Sequence, residues 1–159
     1  MATASALADA LSIPLHGICT HDAIAAAAEL PVDPAAAADE ATALVATDAR
    51  RKEIYWATYR VTDSGVQRIS GPAVTKPAEL EVELASTAEV IIPDRLAEQL
   101  PEKLAALPHR AAHPTAAALV AAADLEAEPA PVVPLYLRRP DAVPPKQQQL
   151  SAAIPRVEL

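Results

Sequence analysis

Glycine is nearly absent from this chain, with three residues in 159 against 16 prolines. Backbone cradles for phosphate depend on glycine for positive φ and close approach, and neither a P-loop nor a Rossmann fingerprint is present. The single cysteine, Cys19, excludes an internal disulfide and, at the end of an apolar run, reads as a small buried hydrophobe. Aromatic residues make up only 3%, and much of the 52% hydrophobic content is alanine in runs such as 25–28, 35–38 and 116–118. Alanine favours helix but buries little area. No Lys or Arg precedes Arg50, so the basic region of a secretory signal and the arginines of a transit peptide are missing, and a cytoplasmic location is expected. Glu29 and frequent prolines interrupt every apolar run before the ~20 residues needed to span a bilayer, so no membrane partner is expected. Positive charge is also in deficit. A net charge of −8 argues against strong RNA binding by this chain alone, because phosphate neutralisation needs a basic footprint.

What is present is sized for one domain with a modest core. Ala4, Leu7, Ala8 and Leu11 have helical spacing, although Met1 offers no N-cap. Pro14 to Cys19 reads as a short strand, and Thr20 and Asp22 as caps of a helix through Glu29. Asp33 and Pro34 open an alanine-rich helix to about Thr42. Then comes the most distinctive stretch, which gathers the only Trp, two of the three Tyr and a basic triplet. Leu44 to Thr47 and Glu53 to Val61 read as two strands around the polar turn Asp48 to Lys52. Tyr55, Ala57, Tyr59 and Val61 share one face of the second strand; Ile54, Trp56, Thr58 and Arg60 share the other. One face is expected to be core and the other mixed. After the turn Asp63-Ser64-Gly65, Val66 to Ile69 forms a third antiparallel strand, and Gly71-Pro72 ends it.

Glu79 to Leu84 alternates at period two, as a strand would. Thr75 and Pro77 supply helix start signals, and with Leu80 and Leu84 on one helical face a helix is favoured. Glu79, Glu81 and Glu83 form a solvent-facing acidic surface. Glu89 to Ile92 is a buried strand, and Asp94 caps a helix whose inner side is Leu96, Leu100, Leu104 and Leu107, divided at Pro101. A last helix runs from Pro114 to about Leu125. A proline-rich linker, 128–134, leads to a short strand Leu135 to Arg138 and a proline- and glutamine-rich end. The pattern is α/β, a mixed sheet with flanking helices compatible with an RNase H-like core.

Few residues point to chemistry. His109 and His113 have the i, i+4 spacing of a metal pair, but prolines bracket them and no carboxylate or cysteine accompanies them, so no metal site is assigned. No Gly-x-Ser-x-Gly elbow is present. Asp48 is expected to bond nearby backbone N–H groups in its turn. Arg50, Arg51 and Lys52, and Arg138 with Arg139, form two small basic patches that are either solvated or contacts for carboxylate or phosphate. Trp56 and Tyr136 read as core or interface anchors.

Three segments together resemble one family. "TDARRKEIYWATY" (Thr47 to Tyr59), "ALADALSIPLHGICTHDAIA" (Ala6 to Ala25) and "PLYLRRPDA" (Pro134 to Ala142) resemble, in order, the TsaB (YeaZ-like, glycoprotease-like) family of tRNA threonylcarbamoyladenosine synthesis. The resemblance implies the RNase H-like lobe of the actin-like ATPase (ASKHA) superfamily. It implies a C-terminal lobe over 1–142, with the remnant of an N-terminal-lobe helix at 2–12 and a flexible tail at 143–159; the family's glycine-rich opening segment has no counterpart. It further implies a non-catalytic scaffold without a cofactor, paired with a TsaD-type transferase, joined by a TsaE-type ATPase and touching tRNA only indirectly. Ala4, Leu7, Ala8, Leu11, Arg50, Arg51, Arg138 and Arg139 are then the candidate partner contacts, and self-association is expected of the exposed apolar face. The alternative is a metal- or nucleotide-dependent enzyme of the same glycoprotease-like group.

Overall fold

A computed structural model describes residues 1–28, 42–62, 65–84 and 88–138. The hairpin forms as its alternation predicts: β1 (Thr42–Asp48) pairs antiparallel with β2 (Ile54–Thr62), Thr47 facing Tyr55 and Ala43 facing Tyr59. β3 (Gly65–Thr75) continues the meander and is longer than the expected third strand, because it runs on through Gly71-Pro72 instead of ending there. Register shifts opposite Trp56, Thr58 and Tyr59 absorb its extra residues. An edge strand tolerates a proline and a bulge, since neither removes a ladder bond the sheet needs. On the other side of β1 lie β4 (Glu89–Ile91) and β5 (His109–Arg110), both parallel to their neighbours, giving the order β3-β2-β1-β4-β5. This is the expected mixed sheet with flanking helices.

Both faces of the sheet are packed, and on β2 the expectation holds: Ala57, Tyr59 and Val61 are buried on one face, while the other is mixed, with Ile54 and Thr58 buried and Trp56 and Arg60 half-buried. Ala43 and Val45 of β1, Ala57, Tyr59 and Val61 of β2, and Ile91 meet Ile24 and Ala25 of α2 (Thr20–Ala27) and its C-cap Ala28. Leu44, Ala46, Ile54, Val90 and Ile92 meet Leu96, Leu100 and Leu104 on the opposite face. Those leucines come from α3 (Asp94–Ala97), α4 (Glu102–Ala105) and the turn between them, with the break at Pro101 as expected. α5 (Ala116–Ala121) packs on α2 and is capped by the Thr115 hydroxyl, which accepts from the Ala118 N–H at 3.0 Å.

Several local expectations are corrected. Pro14 to Cys19 and Leu135 to Arg138 are not strands, because neither segment pairs with a neighbour in the five-stranded ladder. Thr20 and Asp22 do not cap α2, whose N-cap is Cys19; Cys19 itself is half-buried. Asp94 is the first helical residue after Pro93, with no side-chain cap bond. Glu79 to Leu84 is not a helix: only Pro77–Glu79 makes a single 3₁₀ turn. The chain beyond it is extended, with Leu80, Val82 and Leu84 turned to the second core and Glu81 and Glu83 exposed. The period-two pattern prevailed over the start signals. The expected helix over 33–42 lies outside the described residues apart from Thr42, which opens β1; the turn residues 63 and 64 and the end of the chain beyond 138 also lie outside them.

At Gly71 the backbone of β3 lies close against β2. Its φ is +86°, and a Cβ there would stand 2.7 Å from the Trp56 carbonyl oxygen and 2.9 Å from Ala57 Cα. Gly65 also has positive φ, +126°, but faces open space. Gly71→Ala is therefore expected to cost about 3 kcal/mol and Gly65→Ala about 1 kcal/mol, read as midpoint shifts in urea. Equal losses would contradict the close packing at Gly71.

Candidate functional site

α1 (Ala2–Leu11) ends in a residue held in the left-handed region, Ser12 at φ 53°. The Ile13 N–H then reaches back to the Ala8 carbonyl at 3.0 Å and the Ser12 N–H to Asp9 at 3.1 Å, a Schellman-type stop made without glycine. The chain turns through residues 13–19 and enters α2, leaving a cleft of about 720 Å³ between α1, this connection, β3 and the proline-rich segment 131–135. Gly17 sits against Val132, at a distance where an added Cβ would make ordinary van der Waals contact with the valine methyl, 3.8 Å away. Met1, Ala4, Leu15, Ile18 and Val132 make the walls largely apolar, while His16, Cys19, Thr20, Asp22 and Arg68 supply the polar groups.

The floor of the cleft is a hydrogen-bonded link between helix and sheet. Tyr59, on the α2 face of β2, donates its hydroxyl to Asp22 Oδ1 at 2.8 Å. Arg68 is the cross-strand partner of Tyr59 and reaches the same carboxylate oxygen at 3.6 Å. Burial, and then the bond to Asp22, hold the Tyr59 hydroxyl far above its ordinary ionisation range. Beside Asp22, His21 is only 5% exposed and its Nε2 lies 3.1 Å from Thr47 Oγ1. Desolvation lowers its pKa from 6.5, opposed by the Asp22 charge and assisted by Arg68. The cleft can bind and orient an apolar group with a polar end. Among the described residues, no three His, Cys, Asp or Glu gather to hold a metal ion.

The sequence-predicted contacts divide into two places. On α1, Ala8 is buried against the chain itself, Ala4 lines the cleft, and Leu7 and Leu11 are each 58% exposed. At the far end of the hairpin, Arg50, Arg51 and Lys52 are exposed at the turn, and Asp48 Oδ1 accepts from the Arg50 N–H at 2.6 Å. Arg95 donates to Asp48 Oδ2 at 2.7 Å; this bond, then the Arg50 N–H, lowers the Asp48 pKa. Arg138 forms an ion pair with Glu53 and ties the C-terminal segment to the hairpin. Arg139 lies outside the described residues. His109 sits in β5 and His113 follows it, both exposed. The Asp22–Tyr59–Arg68 link was not foreseen, because only the bulged register of β3 sets Arg68 opposite Tyr59.

A family model described as TsaD: tRNA N6-adenosine threonylcarbamoyltransferase matches residues 1–112. The uncharacterized protein ML0378 of Mycobacterium leprae (strain TN) is 44% identical over 146 residues, covering 91% of this chain and 34% of that protein. The uncharacterized protein Rv3421c of Mycobacterium tuberculosis (strain ATCC 25618 / H37Rv) is 41% identical over 145 residues, with 91% and 58% covered. The chain thus spans about a third to three-fifths of the length of these curated relatives. In structure it is similar to YeaZ from Pseudomonas aeruginosa, with a TM-score of 0.60 and 22% identity over 76% of this chain and 55% of that one. A second Pseudomonas aeruginosa structure, an uncharacterized protein with similarity to peptidase YEAZ, gives a TM-score of 0.61 at 20% identity, with the same coverage. The fold is YeaZ-like.

Two outcomes follow from the link beneath the cleft. Tyr59→Phe removes the only hydrogen atom that Asp22 receives from the sheet's hydroxyl and is expected to cost about 1–2 kcal/mol in urea denaturation; a neutral result would show that the bond holds nothing. Because folded His21 refuses a proton that the unfolded chain takes up near pH 6.5, its stabilisation is full above that pH. It declines as pH falls from there toward the lowered folded value, by at most about 1.4 kcal/mol per pH unit. His21→Gln should flatten that part of the thermal-stability profile, and an unchanged slope would contradict the assignment.

Proposed function

The chain belongs to the TsaD family (tRNA N6-adenosine threonylcarbamoyltransferase), and from that premise we propose that it is a YeaZ-type, non-catalytic scaffold in the synthesis of threonylcarbamoyladenosine on tRNA. In this reading it docks a TsaD-type transferase, and a TsaE-type ATPase joins the assembly in the cytoplasm. The observation that carries the reading is the exposed apolar face of α1. Leu7 and Leu11 are one helical turn apart, both more than half exposed, on a helix whose only buried residue is Ala8. Covering the exposed part of two leucines contributes on the order of 1–2 kcal/mol each, enough to make this face an anchor for a partner helix. No helix among the described residues is long and apolar enough to cross a membrane.

A second reading has one observation in its favour, the description of the matching family model as a transferase. The two readings separate in one assay. A scaffold alone transfers no threonylcarbamoyl group to tRNA and stimulates a TsaD-type partner; an enzyme turns over by itself.

Docking is tested by co-expressing the 159-residue chain with the TsaD-type transferase of the same genome and measuring the complex by size-exclusion chromatography with light scattering. Wild type is expected to co-elute with it, as is Val120→Glu, changed at an exposed apolar position on α5. The pair Leu7→Glu and Leu11→Glu is expected to lose the complex while keeping its thermal midpoint. Retention of the complex by that pair, or its absence with wild type, would overturn the docking face.

A further inference from the structure

After α5 the chain runs through Glu128-Pro129-Ala130-Pro131-Val132-Val133-Pro134, three prolines in seven positions. Proline fixes φ and supplies no N–H, so such a stretch is stiff and extended without joining a ladder. Among the described residues, the one backbone–backbone hydrogen bond of segment 128–138 is local, from the Leu137 N–H to the Leu135 carbonyl at 3.1 Å. The segment nevertheless forms a wall of the cleft, to which Pro131, Val132, Val133, Pro134 and Leu135 all contribute.

A wall that belongs to no helix or sheet is held by its side chains. At one end Val132, half-buried, lies against Gly17 in the connection between α1 and α2. At the other, Arg138 donates to the Glu53 carboxylate and, at 3.4 Å, to the Ala49 carbonyl, gripping the base of the turn that joins β1 to β2. Between these holds Val133 is 68% exposed, Leu135 60% and Tyr136 81%, so the middle of the segment adds little burial of its own. The paired side chains of Arg138 and Glu53 are 25% and 30% exposed, within reach of water and salt. Each hold is small, and a stiff segment released at one end moves as a unit.

We propose that residues 131–138 are a movable wall of the cleft, latched by the Arg138–Glu53 ion pair, and that release of this latch opens the cleft from that side. The device couples two places in the molecule: whatever draws Arg138 or Glu53 away at the base of the hairpin widens the entrance to the cleft beside α1. Neither the latch nor its readout depends on a partner protein, so it stands or falls apart from the scaffold reading.

Cys19 supplies the readout, being the only cysteine in the chain, half-buried and on the cleft lining. Its alkylation by neutral iodoacetamide at fixed pH follows the population of the open form. Arg138→Gln is expected to speed labelling roughly 3- to 10-fold, less than the loss of a charge-assisted hydrogen bond allows, because a half-buried thiol already reacts with the wall closed. Glu53→Gln should do likewise, and the two together should be no faster than the faster single variant, since both break one contact. Raising salt from about 0.05 to about 0.5 M should speed labelling of wild type and leave Arg138→Gln unchanged. Amide exchange of β1, followed in the same samples, is expected to stay as slow in the variants as in wild type, which separates local opening from unfolding. Equal labelling rates in wild type and Arg138→Gln, or an equal response of both to salt, would overturn the proposal. So would faster labelling matched by faster exchange throughout β1, since the opening would then be global.

Discussion

The structure depends on the double burial of β1. This strand has a partner on each side, antiparallel β2 and parallel β4, and a hydrophobic cluster against each face. Leu44 and Ala46 enter one core, Ala43 and Val45 the other, and all four are at most 1% exposed. A one-residue slip in register would exchange every one of these side chains between cores of different shape. The ladder is therefore fixed from both faces, which holds the hairpin beyond it in a defined direction. In a chain so poor in aromatic residues, alanine is useful here because it lets helix α2 approach the sheet closely. The Asp22–Tyr59 bond then fixes that helix laterally, and Arg110, whose side chain meets both Glu89 and the Ala28 carbonyl, secures its end.

What the sequence revealed follows the range of the forces involved. The hairpin was legible because β-branched and aromatic residues alternate across a polar turn, and α1 because its apolar residues recur at helical spacing. The leucine stripe 96, 100 and 104 was legible for the same reason, and Pro101 interrupts it where expected. The segment after Pro77 was misread because start signals were weighed above periodicity; Leu80, Val82 and Leu84 alternate because they lie extended over a core. Pro14 to Cys19 and Leu135 to Arg138 carry strand-like composition, but a strand needs a neighbour, and both instead border the cleft or tie down by side chain. β5 has only two residues and no pattern to read. The polar link beneath the cleft joins residues 37 positions apart through a bulge, and local pattern does not encode it.

The same scaffold separates two exposed surfaces. Helix α1 carries its apolar residues outward at one end of the molecule's cleft, while the hairpin turn projects cations from the end of β1 and β2. The family model places the chain in the TsaD family, and its fold is YeaZ-like.

Hydrogen–deuterium exchange of the 159-residue chain, free and with the TsaD-type transferase, tests the scaffold claim most directly. The account predicts slowed exchange across Ala2–Leu11 on addition of the transferase, with the core strands β1 and β4 unchanged because they are already protected. Unaltered exchange in α1, with or without protection elsewhere, would contradict it.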